Sequence, residues 1–207
     1  MSIQQDDIVA VGGDLDPTTL LRAYHHGIFP WPVEGLPLLW FCPRERALLH
    51  FADLHVGRSL ARARRRSTLR FTIDAAFSAV INACAETPRP GQESTWITPD
   101  MLAAYTRLAA LGIAHSVEAW RGETLVAGVY GVDAGGAFAA ESMFHHEPDA
   151  SKLALLHLIE HLRARGLDWL DVQVMTPHIE RLGARREARH EFLARLARAR
   201  GRGLRLF

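Results

Sequence analysis

Three side chains able to hold an amine fall at the ends of two apolar segments. In Leu167–Val174 the two-residue period of an extended chain places Leu167, Trp169, Asp171 and Gln173 on one side. Asp171 and Gln173 then present a carboxylate and an amide to one small volume. The carboxylate attracts a cationic group, and the amide carbonyl accepts a hydrogen bond from an amine. Glu141, between Ala140 and Ser142 in the apolar segment Ala137–Met143, is a third acceptor. Any one of them alone reads as a strand-end polar group satisfied by backbone. The three together, on segments expected to be neighbours, point to a site. Parity sets a condition on it: Phe138 and Glu141 fall on opposite faces of a regular strand, so both line one pocket only with a bulge or twist.

A second group of residues suits a flat ligand. Asp16 as N-cap and Pro17 at the first helical position announce a helix, and Gly27 stops it. The chain leaves through Ile28-Phe29-Pro30-Trp31, an apolar exit where connectors are normally polar. Tyr24 and Trp31 can form an aromatic platform for a nucleobase. A hydrophobic plug under a loop is the simpler account of the same residues. Nearby, Arg58, Arg62, Arg64, Arg65, Arg66 and Arg70 crowd one segment with no acid between them, an anion-attracting surface or a solvated helix face. A second basic run contains Arg195, Arg198, Arg200, Arg202 and Arg205. The net charge of +1 hides both clusters.

These residues need a scaffold to position them. An apolar fraction of 48% suffices for a true core. No apolar run is long enough to cross a bilayer, and Met1–Ala10 lacks a signal-peptide pattern. Cys42 and Cys84 sit in unrelated contexts, so a reducing cytosol is the expected setting. Residues 1–66 read as a small, Pro-rich α+β unit with short strands near Leu38–Phe41 and Ala47–Phe51 and a basic helix near Arg58–Arg66. Residues 67–207 are more regular. The expected order is a strand at Leu69–Ile73, a helix capped by Asp74, a polar loop at Thr87–Ser94 and a helix from Pro99 to Gly112. Strands follow at His115–Trp120, Leu125–Val132 and Ala137–Met143, then an amphipathic helix at Ser151–Arg165 and the Leu167–Val174 strand. A short helix opened by Thr176 and Pro177 and a last helix near Glu187–Arg198 complete the chain.

The fold class is therefore α+β: a mixed sheet flanked by helices, in the element order of the N-acetyltransferase (GNAT) fold. In that fold two parallel strands, here Ala137–Met143 and Leu167–Val174, splay and open a crevice. Coenzyme A is the first ligand to consider, and its pyrophosphate requires a Gly-rich turn at the start of the crossover helix. The turn here, Phe144 to Ser151, has no glycine and contains Glu147 and Asp149, which argues against an acetyl-CoA enzyme.

At these residues the chain resembles the leucyl/phenylalanyl-tRNA–protein transferases. The matching motifs are GGDL (Gly12–Leu15), AY..GIFPW (Ala23–Trp31), LLWFCPRER (Leu38–Arg46), TWIT (Thr95–Thr98) and AHSVE (Ala114–Glu118). They continue with GVYGV (Gly128–Val132), ESMF (Glu141–Phe144), ASK (Ala150–Lys152) and DVQV (Asp171–Val174). They are in order and cover nearly the whole chain. The resemblance implies transfer of Leu, Phe and less readily Met from charged tRNA to the α-amine of a protein beginning with Arg or Lys, which routes the product to proteolysis. It implies no cofactor and no metal, because the donor is an activated ester. A cytoplasmic monomer without membrane attachment is expected.

By the resemblance, Tyr24 and Trp31 pack on the terminal adenosine, with Trp96 near them. Glu141 holds the donor's α-ammonium. The donor side chain enters an apolar pocket of Val129, Phe138, Met143, Leu158 and Leu170. Asp171 and Gln173 receive the acceptor amine, with Asp171 selecting a cationic N-terminal residue. Arg62, Arg65 and Arg66 belong to the patch that grips the tRNA body. Three departures stand out. The segment before GGDL is short, Ala140 replaces the usual glycine before ESMF, and Val129 and Leu158 replace larger pocket residues. An acyl-CoA N-acetyltransferase and a non-catalytic tRNA-binding protein are the alternative functions. His157 and His161 lie one helical turn apart without a third metal ligand in view.

Overall fold

A computed structural model describes residues 5–87 and 95–207. Residues 88–94 of the expected polar loop lie outside the described residues. The elements in chain order are β1 (Ile8–Val11), α1 (Pro17–His25), β2 (Phe29–Trp31), β3 (Leu39–Phe41), β4 (Glu45–His50) and α2 (Arg58–Arg66). Next come β5 (Arg70–Ile73), α3 (Phe77–Glu86), α4 (Pro99–Ala110), β6 (Ala114–Arg121), β7 (Thr124–Asp133) and β8 (Phe138–His145). The chain continues through α5 (Ala150–Ala164), β9 (Trp169–Gln173), α6 (Pro177–Arg181), β10 (Arg185–Ala188) and α7 (Arg189–Gly201).

The strands form two sheets, a three-stranded one in the order β1-β3-β2 and a seven-stranded one in the order β10-β4-β9-β8-β7-β6-β5. The apolar exit from α1 is thus a strand, β2, at the edge of the small sheet, the position in a sheet where a proline is tolerated. The large sheet takes in β4, so it crosses the boundary expected at residue 66. Within it β8 and β9 are parallel and the other neighbours are antiparallel. The architecture is mixed α+β with helices packed on the sheet; α5 contacts β6, β7 and β8. Its face of Leu155, Leu158, Ile159 and Leu162 is fully buried, at about 1.5–3 kcal/mol per side chain removed from water.

Local signals explain most element ends. Pro17 and Pro99 occupy first-turn positions, where the missing N–H costs nothing. The Thr98 side chain accepts the Met101 N–H and caps α4. Asp16 stands at the N-cap of α1 in extended backbone, but its side chain makes no cap hydrogen bond. Asp74 does not cap α3: it lies in the left-handed region at φ 56°, and the helix starts after Ala76.

Two irregularities shape the functional end of the large sheet. Along β7–β8, Tyr130 pairs with Ser142 and Gly131 with Ala140, which leaves Glu141 as the extra residue of a bulge. Along β4–β9, Ala47 pairs with Gln173 and Leu48 with Asp171, which leaves Val172 as the extra residue. The bulge meets the parity condition, because it lets β8 direct Glu141 independently of Phe138. Gly131 makes it possible: a Cβ there would lie 2.2 Å from the Ala139 carbonyl oxygen. The parallel strands touch in register at Ala139 and Asp171.

Candidate active site

Glu141 and Gln173 meet where β8 and β9 part. Gln173 Nε2 donates to Glu141 Oε1 at 2.7 Å. The Tyr24 hydroxyl, from α1, donates to the same oxygen at 2.7 Å. Tyr105, from α4, hydrogen-bonds in turn to the Tyr24 hydroxyl. Burial pushes the Glu141 carboxyl up to about 8, against the opposing hydrogen bond from Tyr24. Burial also keeps both phenols well above their usual range, so they remain donors. Glu141 is partly exposed, whereas Gln173 and Asp171 are buried.

Asp171 is not the open receptor for a cationic N-terminus that the sequence suggests. Arg46, itself 1% exposed, closes it. Arg46 Nε donates to Oδ1 at 2.8 Å and Nη2 to Oδ2 at 2.7 Å, a bidentate pair. Oδ1 also accepts the Gln173 backbone N–H at 2.9 Å. Gln173 has φ 59°, and the Val174 N–H bonds to the Val172 carbonyl at 2.6 Å. That combination is a γ-turn of the rare positive-φ kind.

Tyr24 is likewise not an open platform. It is 2% exposed, and its hydroxyl belongs to the Glu141 network. Trp31 is the partly exposed ring, stacked on the buried Trp96 with centroids 5.4 Å apart and planes at 19°. The pair borders an open cavity of about 1110 Å³, together with Pro32, Val33, Leu38 and Thr98. Asp14, Asp16, Glu34 and Asp100 lie on the same cavity.

The five residues expected as a donor pocket are mostly core. Val129, Phe138, Leu158 and Leu170 are all buried, and only Met143, beside Glu141, is partly exposed. Phe138 does line a small cavity with Tyr24, Arg46 and Asp171, but its volume of about 10 Å³ is that of a single water. Arg62, Arg65 and Arg66 are exposed on α2, and neighbouring Arg64 pairs with Glu160 of α5. Among the described residues no three His, Cys, Asp or Glu converge as a metal set. His157 stacks on Phe71, and His161 bonds to the Leu206 carbonyl. Among the described residues no helix is long and apolar enough to cross a membrane.

Arg46 and Tyr105 are the residues that sequence reasoning misses. Tyr105 shares the buried face of α4 with Met101, Ala104 and Leu108, so it reads as core. Arg46 opens the apolar run Ala47–Leu49, and its partner lies 125 residues away. The one available signal is a charge beside a strand that is otherwise buried.

The family model described as leucyl/phenylalanyl-tRNA protein transferase matches residues 48–197, and that of its N-terminal domain matches residues 13–44. A leucyl/phenylalanyl-tRNA–protein transferase of Anaeromyxobacter dehalogenans (strain 2CP-C) is 55% identical over 95% of this chain and 84% of its own. Those of Nitratidesulfovibrio vulgaris (strain DP4) and Shewanella denitrificans are 52% and 50% identical, over 91% and 92% of this chain and 81% and 80% of theirs. A solved structure of a functionally unknown conserved protein from Staphylococcus epidermidis covers 87% of this chain and 68% of its own, at TM-score 0.44 and 10% identity; at that distance it assigns no fold family.

Proposed function

This chain belongs to the leucyl/phenylalanyl-tRNA protein transferase family, and on that premise we propose that it moves leucine or phenylalanine, and less readily methionine, from charged tRNA to the α-amine of a protein beginning with Arg or Lys. The transferred residue marks the product for proteolysis. The observation that carries this reading is the 2.7 Å contact between Gln173 and Glu141 at the parting of β8 and β9. It brings a carboxyl suited to one amine beside an amide suited to another.

In this reading Glu141 faces the donor's α-ammonium. An arriving cation favours the ionised carboxyl, so donor binding and release of the Glu141 proton are coupled. With Nε2 committed to Glu141, the carbonyl of Gln173 is the group left for the acceptor amine. An amide is hardly basic, so Gln173 orients the nitrogen and accepts a hydrogen bond that strengthens as positive charge develops there. Holding amine and ester side by side supplies most of the rate, at effective molarities on the order of 10⁵ M or more. Asp171 acts through Gln173 rather than on the amine. Trp31 and Trp96 take the terminal adenosine, and Arg62, Arg65 and Arg66 take the tRNA body. The donor side chain enters beside Met143, and the flexible thioether yields to it. The parallel β8–β9 pair joined through α5 supports an N-acetyltransferase-like origin for the sheet. The same reading makes the protein a cytoplasmic monomer, with a small unit carrying Trp31 and a large one carrying Glu141 and Gln173.

The acyl-CoA alternative meets an obstacle at the start of α5. Asp149 stands there in the left-handed region, at φ 62°, with its carboxylate 2.6 Å from Lys152. A pyrophosphate at that helix end would meet the Asp149 carboxylate, on a turn without glycine. The deciding assay incubates the protein with radiolabelled Leu-tRNA and an Arg-initiated peptide. The expected product is the leucylated peptide. An acetylated peptide formed from acetyl-CoA, or tRNA binding without transfer, would overturn the reading.

A further inference from the structure

We infer that Arg46 is a positioning residue for the transfer: by holding Asp171 in one place it fixes the backbone turn that aims Gln173 at Glu141. For its activity readout the inference rests on the transferase reading above.

The guanidinium is enclosed on every side that the structure describes. Its fork grips both oxygens of Asp171. Nη1 donates to the Gly27 carbonyl at 3.2 Å. The rings of Phe29 and Phe192 lie 4.6 and 4.7 Å from its central carbon. Gly27 is where α1 ends and the chain turns toward Trp31. A Cβ at Gly27 would lie 2.6 Å from Phe192 Cε1, so α7 closes the sleeve tightly. One side chain therefore ties the root of β2 to the end of β9.

The turn it supports is a strained one. A side-chain-bearing residue at φ 59° persists only where its surroundings over-determine it. Here the determinant is Asp171 Oδ1, which accepts from Arg46 Nε and from the Gln173 N–H together. Without the fork the carboxylate swings, the γ-turn relaxes, and the carboxamide leaves Glu141. Lysine cannot substitute, because a point charge does not fix both oxygens of a carboxylate. Nor is core stability a sufficient reason for the pair. A buried ion pair is commonly matched or bettered by apolar residues of similar volume. What Arg46 supplies beyond such a replacement is geometry.

The test is the double variant Arg46→Met, Asp171→Leu in the full chain, with Arg46→Lys as companion. The readouts are the thermal midpoint, amide exchange at Gln173, and kcat and KM with Leu-tRNA and an Arg-initiated peptide. The expectation is a folded double variant whose Gln173 amide exchanges about tenfold faster or more. Its kcat falls about 100-fold, the scale of a 1 Å misplacement, while KM for Leu-tRNA stays within about threefold. Arg46→Lys shifts kcat and exchange in the same direction. A folded double variant with wild-type exchange and kcat overturns the inference. If the double variant does not fold, Arg46→Lys decides alone: wild-type kcat and exchange overturn the inference, and a loss confined to kcat with faster exchange upholds it. If the wild-type protein does not transfer leucine, the transferase reading fails, and amide exchange at Gln173 still tests the clamp.

Discussion

Replacing Glu141 with Gln should make the protein more stable, and only on the alkaline side. Burial holds the folded carboxyl at about 8, whereas an exposed glutamate titrates near 4.5. Between those values the native state keeps a proton that the unfolded chain has released. Stability therefore falls as pH rises through that window, the reverse of the usual carboxylate case. Below the window both states are protonated and the penalty is absent. Glutamine is neutral throughout, and its carbonyl can still accept from Tyr24 and Gln173, so the variant escapes the fall. The gap from 4.5 to about 8 corresponds to about 5 kcal/mol at 1.36 kcal/mol per pH unit. Glu141 retains some solvent contact, which leaves about 2–3 kcal/mol as the measurable part. Urea denaturation of both proteins at pH 5 and pH 9 measures it, provided the m-values agree. The curves should nearly coincide at the acid end and separate at the alkaline end, with the variant the sturdier. A difference independent of pH, or a variant weaker at pH 9, would refute the assignment of a buried, proton-holding Glu141. Leucyl transfer should drop in the same variant, since an amide cannot balance the donor's ammonium. Greater stability with lower activity is the mark of a residue kept for function.

Three further outcomes follow from the proposed function and the geometry. Trp31→Ala removes one face of the Trp31–Trp96 stack; KM for Leu-tRNA should rise about 5- to 150-fold with kcat little changed, from 1–3 kcal/mol of base stacking. Replacing Arg65 and Arg66 with Ala should weaken tRNA binding and flatten the plot of log affinity against log salt by about 1.4–1.8, two lost phosphate contacts, as measured by filter binding across a salt series. Gly131→Ala should destabilise by about 2 kcal/mol or more, because the new methyl would lie 2.2 Å from the Ala139 carbonyl oxygen; urea denaturation reads it directly.

The regular part of the fold was legible because its signals are local. The β6–β7–β8 meander follows alternating apolar residues and turns at Arg121-Gly122 and Ala134-Gly135-Gly136, and α4 announces itself through Thr98 and Pro99. What escaped is held by distant partners. β10 is Arg185-Arg186-Glu187-Ala188, a sequence with no apolar period, and it exists because β4 offers an edge. β2 contains a proline, which reads as a connector until β3 is seen beside it. At the site the contact of Glu141 with Gln173 followed from strand order, and the need for a bulge followed from parity. The roles of Tyr24 and Asp171 did not, because a residue type tells what a side chain can bind and not whether the fold has already filled it. Tyr24 is consumed by Glu141, and Asp171 by Arg46.

That consumption changes how the chemistry must be understood. If Asp171 were free, it would compete with the substrate for the acceptor's charge, and Gln173 would be one polar group among several. Locked by Arg46, Asp171 spends both oxygens inside the protein and can only set the backbone of Gln173. Glu141 remains as the carboxyl with partial exposure, and burial makes its ionisation conditional on a cation arriving. Site and fold are thus irregular at the same places. Glu141 is the extra residue of one bulge, and the other bulge, at Val172, precedes the strained turn at Gln173. A regular β8 and β9 would continue their ladder and point these two side chains into the sheet's own packing. The bulge at Glu141 leaves β8 paired with β7 on both sides of it, and β9 ends at Gln173, one residue past Val172; the two irregularities bring these side chains into contact. Local irregularity is where a fold's regular rules give way, and here it accounts for the contact of Glu141 with Gln173 and for the strain of the turn.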